Sequence, residues 1–164
     1  VRNMFERRVC QTHEQFHGEV LCAAIAARRE IQLPGLSVRK QADVSAFASL
    51  GGKKLSVLVW HYHDDDVQGP DAAISLKIPG LPIASGKAKV THYRVDETHG
   101  NSFTLWKSMG EPQKPTPEQY ADLEAAGKLA TLAPGTETQI ADHTATLDFK
   151  LPRQGVSLLV LEWD

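Results

Sequence analysis

The segment from Lys54 to His63 constrains the fold of this chain more than any other stretch. Successive side chains of a β-strand point to opposite faces of the sheet, and here both sets of alternate positions are apolar. They are Leu55, Val57 and Val59 on one face and Leu58, Trp60 and Tyr62 on the other. A strand that is apolar on both faces belongs inside a sheet, with other parts of the molecule covering both sides. The segment therefore predicts a β protein in which this strand is central.

Further strand-like segments follow, separated by Gly, Pro and Asp residues. They are residues 73–78, 87–95, 144–151 and 156–163. Apolar and polar residues alternate in the first and third of these segments, which predicts strands with one buried face. Because the strands do not alternate with helices, parallel βαβ units are not expected. The pattern predicts a mainly β protein built as an antiparallel β-sandwich.

A small helical-hairpin insertion is predicted between the strands, at about residues 101–127. Its first helix can be capped by Asn101 or Ser102, since both side chains accept hydrogen bonds from exposed backbone N–H groups. Its second helix has Thr116 as N-cap, and Gln119 completes a capping box. The insertion therefore consists of two short helices joined by a turn.

Four larger side chains recur at three-residue spacing within this insertion. They are Phe103, Trp106, Tyr120 and Leu123. Residues three apart on a helix lie on one face, which indicates packing. We expect these side chains to form one structural cluster that holds the two helices against the sandwich.

Residues 1–41 form a separate N-terminal helical segment without an assigned role. Within it, residues 12–30 have apolar side chains at the three-to-four spacing of a helix, with Arg28 and Arg29 in the last turn. The sequence thus predicts an N-terminal helix ahead of a sandwich domain that spans residues 42–164.

Composition and charge exclude several classes of partner. The formal net charge is −2, and no run of Lys or Arg forms a basic patch, so nucleic acid is not an expected partner. No apolar stretch approaches the ~20 residues of a membrane span, so no membrane is expected either. Cys10 and Cys22 read as free thiols of a reducing compartment. A cytoplasmic location is therefore favoured, with a periplasmic or secreted parent protein as the alternative.

His61 and His63 are candidate metal ligands because they lie two apart on a strand and therefore on one side of it. The following Asp64, Asp65 and Asp66 are hard oxygen ligands for a cation. No third ligand follows at a diagnostic spacing, so a solvated acidic turn is the favoured interpretation. We expect no metal and no cofactor, and a small metal-binding protein is kept as a third hypothesis for function.

The polar loop that begins at Asp96 and Glu97 carries two adjacent carboxylates and ends in Thr98 and His99. Adjacent side chains on a strand point in opposite directions, so these carboxylates could not flank one bond for acid–base chemistry. A polar turn ahead of the next helix is the favoured interpretation. No catalytic residue is predicted in the chain.

Aromatic residues suggest carbohydrate binding as a different function, since Trp and Tyr rings can stack on sugars. The candidates are Trp60, Tyr62, Trp106 and Trp163. Trp60 and Trp163 lie in strongly apolar strands, for which core positions are expected. A free-standing carbohydrate-binding or interaction module is the second hypothesis for function.

Several long blocks of this sequence resemble one enzyme family. They include VLVWHYHDDD at 57–66, HYRVDETHGNSF at 92–103, LWKSMGEP at 105–112, PTPEQY at 115–120 and LPRQGVS at 151–157. In order and in spacing, these blocks are similar to the C-terminal region of glycoside hydrolase family 39, the β-xylosidases and α-L-iduronidase-like enzymes. The resemblance covers about residues 42–164 and does not extend to residues 1–41.

The resemblance implies an accessory role. Family members are retaining glycosidases whose acid/base and nucleophile glutamates, ~5 Å apart, lie on a (β/α)₈ barrel and release xylose from xylo-oligosaccharides. No position here matches either glutamate, so we expect the chain to be inactive alone. The resemblance implies a sandwich that packs beside such a barrel, in the same chain or another, and borders its sugar-binding cleft. The loop residues Asp96, Glu97, His99 and Asn101 would then face the barrel or its carbohydrate substrate.

Overall fold

Buried and exposed side chains alternate along several strands of this chain, as the sequence pattern predicts. The computed structural model describes residues 44–62 and 69–164, together with the backbone of two short strands at 6–8 and 24–28. The side chains at 133 and 134 lie outside the described part.

The described residues form nine strands and two helices. The strands are β1 Glu6–Arg8, β2 Ala24–Arg28, β3 Val44–Gly51, β4 Lys54–His61, β5 Ala72–Ile78, β6 Gly86–Val95, β7 Ala130–Ala141, β8 Thr144–Leu151 and β9 Gly155–Glu162. The helices are α1 Ser102–Ser108 and α2 Pro117–Ala126. Neither of these helices is long and apolar enough to cross a membrane.

The strands form one antiparallel sheet in the order β1-β2-β5-β8-β7-β6-β9-β4-β3. The sheet curls so far that β2, near one end, lies beside β3 at the other. The protein is therefore a mainly β, nearly closed antiparallel sandwich with a helical insertion, as predicted from the sequence. The five strands predicted between residues 54 and 163 are confirmed within two residues at each end, whereas β3 and β7 were not predicted.

The core lies between the two layers of the folded sheet. Fully buried side chains include Leu55, Val57 and Val59 of β4, which belong to one apolar cluster with Leu161 of the neighbouring strand β9 and with Leu76 of β5. Trp163 is also buried, as predicted. Burying apolar surface contributes about 25 cal/mol per Å², so this cluster is the main source of stability for the domain.

The outer side of β4 differs from the prediction. β4 is an interior strand, between β3 and β9, but the described residues do not cover its second apolar face: Leu58 and Trp60 are half-buried, and Tyr62 is 55 % exposed. The predicted core position of Trp60 is therefore wrong. Its side chain lies on the outside of the sandwich, where its ring is 6.3 Å from that of Phe47.

The N-terminal helix predicted over residues 12–30 is wrong at its C-terminal part, which forms β2 and pairs with β5. Short apolar runs fit a strand or a helix equally well, and here backbone pairing with a neighbouring strand decides the outcome. Residues 12–23 and 29–30 of that prediction, and Cys10 and Cys22, lie outside the described residues. The division of the chain near residue 41 stays a prediction.

The helical insertion occupies the predicted place between β6 and β7. Asn101 is the N-cap of α1, and its side-chain oxygen accepts hydrogen bonds from the N–H groups of Phe103 and Thr104. Thr116 and Gln119 form the predicted capping box at the start of α2. The local signals in the sequence therefore position both helices correctly.

The predicted cluster residues of this insertion are largely on its surface. Phe103 and Trp106 stack with ring centroids 5.7 Å apart, and the Trp106 indole N–H donates to the Pro112 carbonyl at 3.1 Å. Phe103 and Tyr120 are 56 % and 65 % exposed, whereas Trp106 and Leu123 are partly buried. Neither helix contains a buried residue, and a shared cluster of all four side chains stays a prediction.

We expect Trp106→Ala to loosen the insertion without unfolding the sandwich. The Trp106 side chain packs only within the insertion in the contacts above, so the loss should fall short of the ~3–5 kcal/mol of a fully buried Trp. Amide hydrogen exchange should speed up in residues 102–126 and stay slow in β4, β6 and β9. Equal acceleration throughout the strands would show that the insertion and the sandwich unfold as one unit.

Candidate functional site

The interior of the sandwich becomes polar near the C-terminal end of β6. Ala88 and Val90 continue the apolar core, but the next inward-facing residues are His92 and Arg94, and Asp96 follows. A buried charge destabilises a protein unless it is paired and hydrogen-bonded. The side chains at this end therefore need specific partners.

Arg94 obtains its partners from three directions. Its Nε donates to Ser157 Oγ of β9 at 2.9 Å, and its Nη2 donates to the Lys150 carbonyl of β8 at 2.8 Å. Its Nη1 lies 3.5 Å from Asp96 Oδ2, and both side chains of this ion pair are 5 % exposed. The guanidinium thus connects strands of both layers to the loop after β6.

His92 and Ser157 form a second part of this network. The His92 Nε2 lies 2.9 Å from Ser157 Oγ, and the His92 ring meets the edge of Phe149 at 5.1 Å between centroids. Burial, and to a lesser extent the positive charge of Arg94, lowers the pKa of His92 from 6.5 to about 4. A His–Ser pair can activate a nucleophile, but Ser157 is 0 % exposed. A substrate has no access to it in this structure, so the pair is structural.

Asp96 holds the loop that follows β6. Its Oδ1 accepts hydrogen bonds from the backbone N–H groups of Thr98 and His99, at 2.8 and 2.9 Å, and from the Thr98 hydroxyl at 3.1 Å. The His99 Nδ1 lies 2.8 Å from the same oxygen. Burial opposes ionisation of Asp96, but the hydrogen bonds from His99 and Thr98 outweigh it, so the pKa of this carboxyl is lowered. Asp96 is therefore an ionised residue committed to holding the loop.

The four predicted loop residues have different positions. Asp96 is buried, Asn101 caps α1 and donates from Nδ2 to the Asp96 carbonyl at 3.0 Å, and Glu97 is exposed. The His99 side chain is 37 % exposed. The structure brings these residues together in one closed turn, in which the side chains of Glu97 and His99 reach the surface.

The metal hypothesis for His61 and His63 stays a hypothesis, because most of its residues lie outside the described part of the chain. Among the described residues, no group of three or more His, Cys, Asp or Glu side chains could hold an ion. His61 is 4 % exposed, and its Nδ1 lies 3.2 Å from the Leu151 carbonyl. His63 and the three aspartates that follow it lie outside the described residues.

The network formed by His92, Arg94 and Ser157 was not predicted from the sequence. A signal was available: residues 88–94 alternate, and the buried side changes from Ala and Val to His and Arg. Polar residues at inward positions of an amphipathic strand indicate a buried network. Ser157 could be identified as a partner only through the pairing of β6 with β9.

No protein-family model matches the sequence. Solved structures with a similar fold include the following three. A glycoside hydrolase family 39 enzyme from Xanthomonas axonopodis pv. citri matches with a TM-score of 0.59 and 19 % identity, over 71 % of this chain and 25 % of that chain. A monomeric β-xylosidase from Caulobacter crescentus CB15 matches with a TM-score of 0.56 and 18 % identity, over 71 % of this chain and 26 % of that chain.

The third is a bacterial orthologue of human α-L-iduronidase, with a TM-score of 0.59 and 21 % identity, over 75 % of this chain and 22 % of that chain. The chain thus spans about a quarter of the length of the solved proteins that it matches. At these identities the likeness concerns the fold alone.

The buried His92 should make the protein sensitive to acid. Because its pKa is about 4 in the folded chain and 6.5 ordinarily, the unfolded chain binds more protons between these values. Stability is then lost as pH falls from about 6.5 to 4, by up to ~3 kcal/mol for this group. The free energy of unfolding, measured in urea across this pH range, should depend less steeply on pH in His92→Gln than in the wild type. An unchanged slope in the variant would exclude His92 as the cause.

Proposed function

We propose that this chain is the non-catalytic C-terminal accessory domain of a β-xylosidase-like retaining glycoside hydrolase. The observation that supports this is the fold, which matches about a quarter of the length of xylosidase and iduronidase-like proteins. The remaining three-quarters of those chains is the counterpart of the proposed partner, a (β/α)₈ catalytic barrel in the same chain or another. The activity of the whole enzyme would be release of xylose from xylo-oligosaccharides.

The chemistry of the loop supports a non-catalytic role. A retaining glycosidase needs two carboxyl groups about 5 Å apart on either side of the scissile bond. Asp96 is buried, with one carboxylate oxygen surrounded by donors and the other facing Arg94. Glu97 is exposed beside it. A carboxylate engaged in this way is not available as a nucleophile, so Glu97 has no catalytic partner in the loop.

In this proposal the loop from Asp96 to Asn101 borders the sugar-binding cleft of the barrel. Asp96 and Asn101 fix its backbone, and the fixed backbone presents Glu97 and His99 at the surface. A carboxylate and an imidazole can hydrogen-bond sugar hydroxyls or barrel side chains. The two side chains therefore act in positioning, not in bond cleavage.

A free-standing carbohydrate-binding module is the second candidate. The observation that favours it is the exposure of Phe103 and Tyr120 on the helical insertion. Exposed aromatic rings offer apolar faces for sugar rings, although the sequence pattern suggested other aromatic residues for this role. This candidate requires the chain to bind xylo-oligosaccharides by itself.

The accessory role predicts that the chain alone does not hydrolyse an aryl β-xyloside, even after long incubation at high protein concentration. Reading the gene upstream of the Val1 codon should reveal a hydrolase domain with two catalytic glutamates, and that domain should be active. Calorimetric titration of the chain alone with xylotriose should show no binding. Turnover by the chain alone that is abolished in Glu97→Gln would overturn the proposal, and xylotriose binding that is lost in Phe103→Ala would favour the carbohydrate-binding module.

A further inference from the structure

The outer side of strands β3, β4, β9 and β6 carries two cross-strand rows of apolar side chains. In the first row, Leu58 is paired with Phe47 on one side and with Leu158 on the other, and Leu158 is paired with Tyr93. Directly paired residues of neighbouring strands have side chains on the same face of the sheet. The row therefore runs across all four strands.

The second row lies beside the first, two residues away on each of the four strands. Trp60 pairs with Val156, and Val156 pairs with Val95; Ser45 completes the row beside Trp60. No residue in either row is charged. Phe47 is 54 % and Val95 39 % exposed, and the side chains between them are half-buried. We call the apolar members of these two rows the outer apolar face.

Charged or polar residues are expected on the solvent side of an antiparallel sheet, so this face needs an explanation. Strands are about 4.8 Å apart and side-chain rows about 7 Å apart, so two rows across four strands give a projected area of roughly 270 Å². Contiguous exposed apolar patches of this size often mark interaction sites. The face is thus large enough to contribute to docking.

We propose that the outer apolar face is the surface on which this domain docks to an apolar surface of the catalytic domain of the same enzyme. The proposal rests on the accessory role proposed above. A stable dimer of free copies needs about 800 Å² from each partner, and this face alone falls short of that. A tethered domain is held at millimolar effective concentration, so a smaller apolar contact holds it in place.

The position of the face fits this partner. Val95, at the end of the second row, immediately precedes the loop that begins at Asp96. A Cβ built on Gly100 would lie 3.4 Å from Val95 Cγ2, so the loop folds back against this end of the face. A domain docked on the outer apolar face therefore lies next to Glu97 and His99, the two side chains that the loop exposes.

The test uses the hydrolase domain encoded upstream of Val1, produced as a separate polypeptide and titrated with this chain. Phe47→Ser should raise the dissociation constant of the complex by about tenfold or more, as expected for an aromatic residue at an interface. Tyr120→Ser is the matched control, because it also replaces a more than half-exposed aromatic residue but lies on α2, away from the face. The affinity of Tyr120→Ser for the hydrolase domain should equal that of the wild type. Circular dichroism and melting temperature identify any variant that fails to fold.

The outcomes separate the docking surface from the accessory role. Equal binding by wild type and Phe47→Ser, with Val95→Lys also unchanged, overturns the proposed surface and leaves the accessory role intact. No binding by the wild type at concentrations up to the millimolar range, or no hydrolase domain either upstream or in a partner chain, overturns the accessory role and with it this proposal. Dimerisation of the chain alone that Phe47→Ser abolishes would assign the face to a second copy, and this also overturns the proposal.

Discussion

A single buried cation, the guanidinium of Arg94, sets the organisation of the polar end of this domain. Arg94 lies on an inward position of β6, where the strand would otherwise continue the apolar core. A charge in that place must find acceptors, because solvent does not reach it. The acceptors are Ser157 of β9, the Lys150 carbonyl of β8 and Asp96. The electrostatic requirement of one side chain therefore links both layers of the sandwich to the loop after β6.

The same requirement has a functional consequence. Asp96 is paired with Arg94, and its other carboxylate oxygen accepts hydrogen bonds from the backbone N–H groups of Thr98 and His99. These bonds close the turn. Asn101, bonded to the Asp96 carbonyl, then begins α1. The backbone of the loop that exposes Glu97 and His99 is thus held by hydrogen bonds to the Asp96 and Asn101 side chains. In our proposal this rigidity lets an accessory domain present two side chains to a neighbouring cleft without taking part in the chemistry.

Much of this architecture could be predicted from local sequence. Alternation predicted β5 and β8, and the capping residues Thr116 and Gln119 predicted the start of α2. The strands β3 and β7 were missed because small residues such as Ala46 and Ala48 give a weak apolar signal, and because Gly135 breaks the pattern of β7. The buried network could not be predicted in full, since its partners are 63 residues apart for Arg94 and Ser157. Only strand pairing brings such residues together.

The central claim is that Arg94 and Asp96 stabilise the domain as a coupled pair. It is tested most directly by a double-mutant cycle of Arg94→Met and Asp96→Asn, with free energies of unfolding measured in urea. We predict that each single variant loses ~3 kcal/mol or more, because it leaves the other group buried without its partner. The double variant should then lose clearly less than the sum, with a coupling energy above ~1 kcal/mol. Losses that add to within ~0.5 kcal/mol would contradict the account and show that the ion pair does not organise this end of the sandwich.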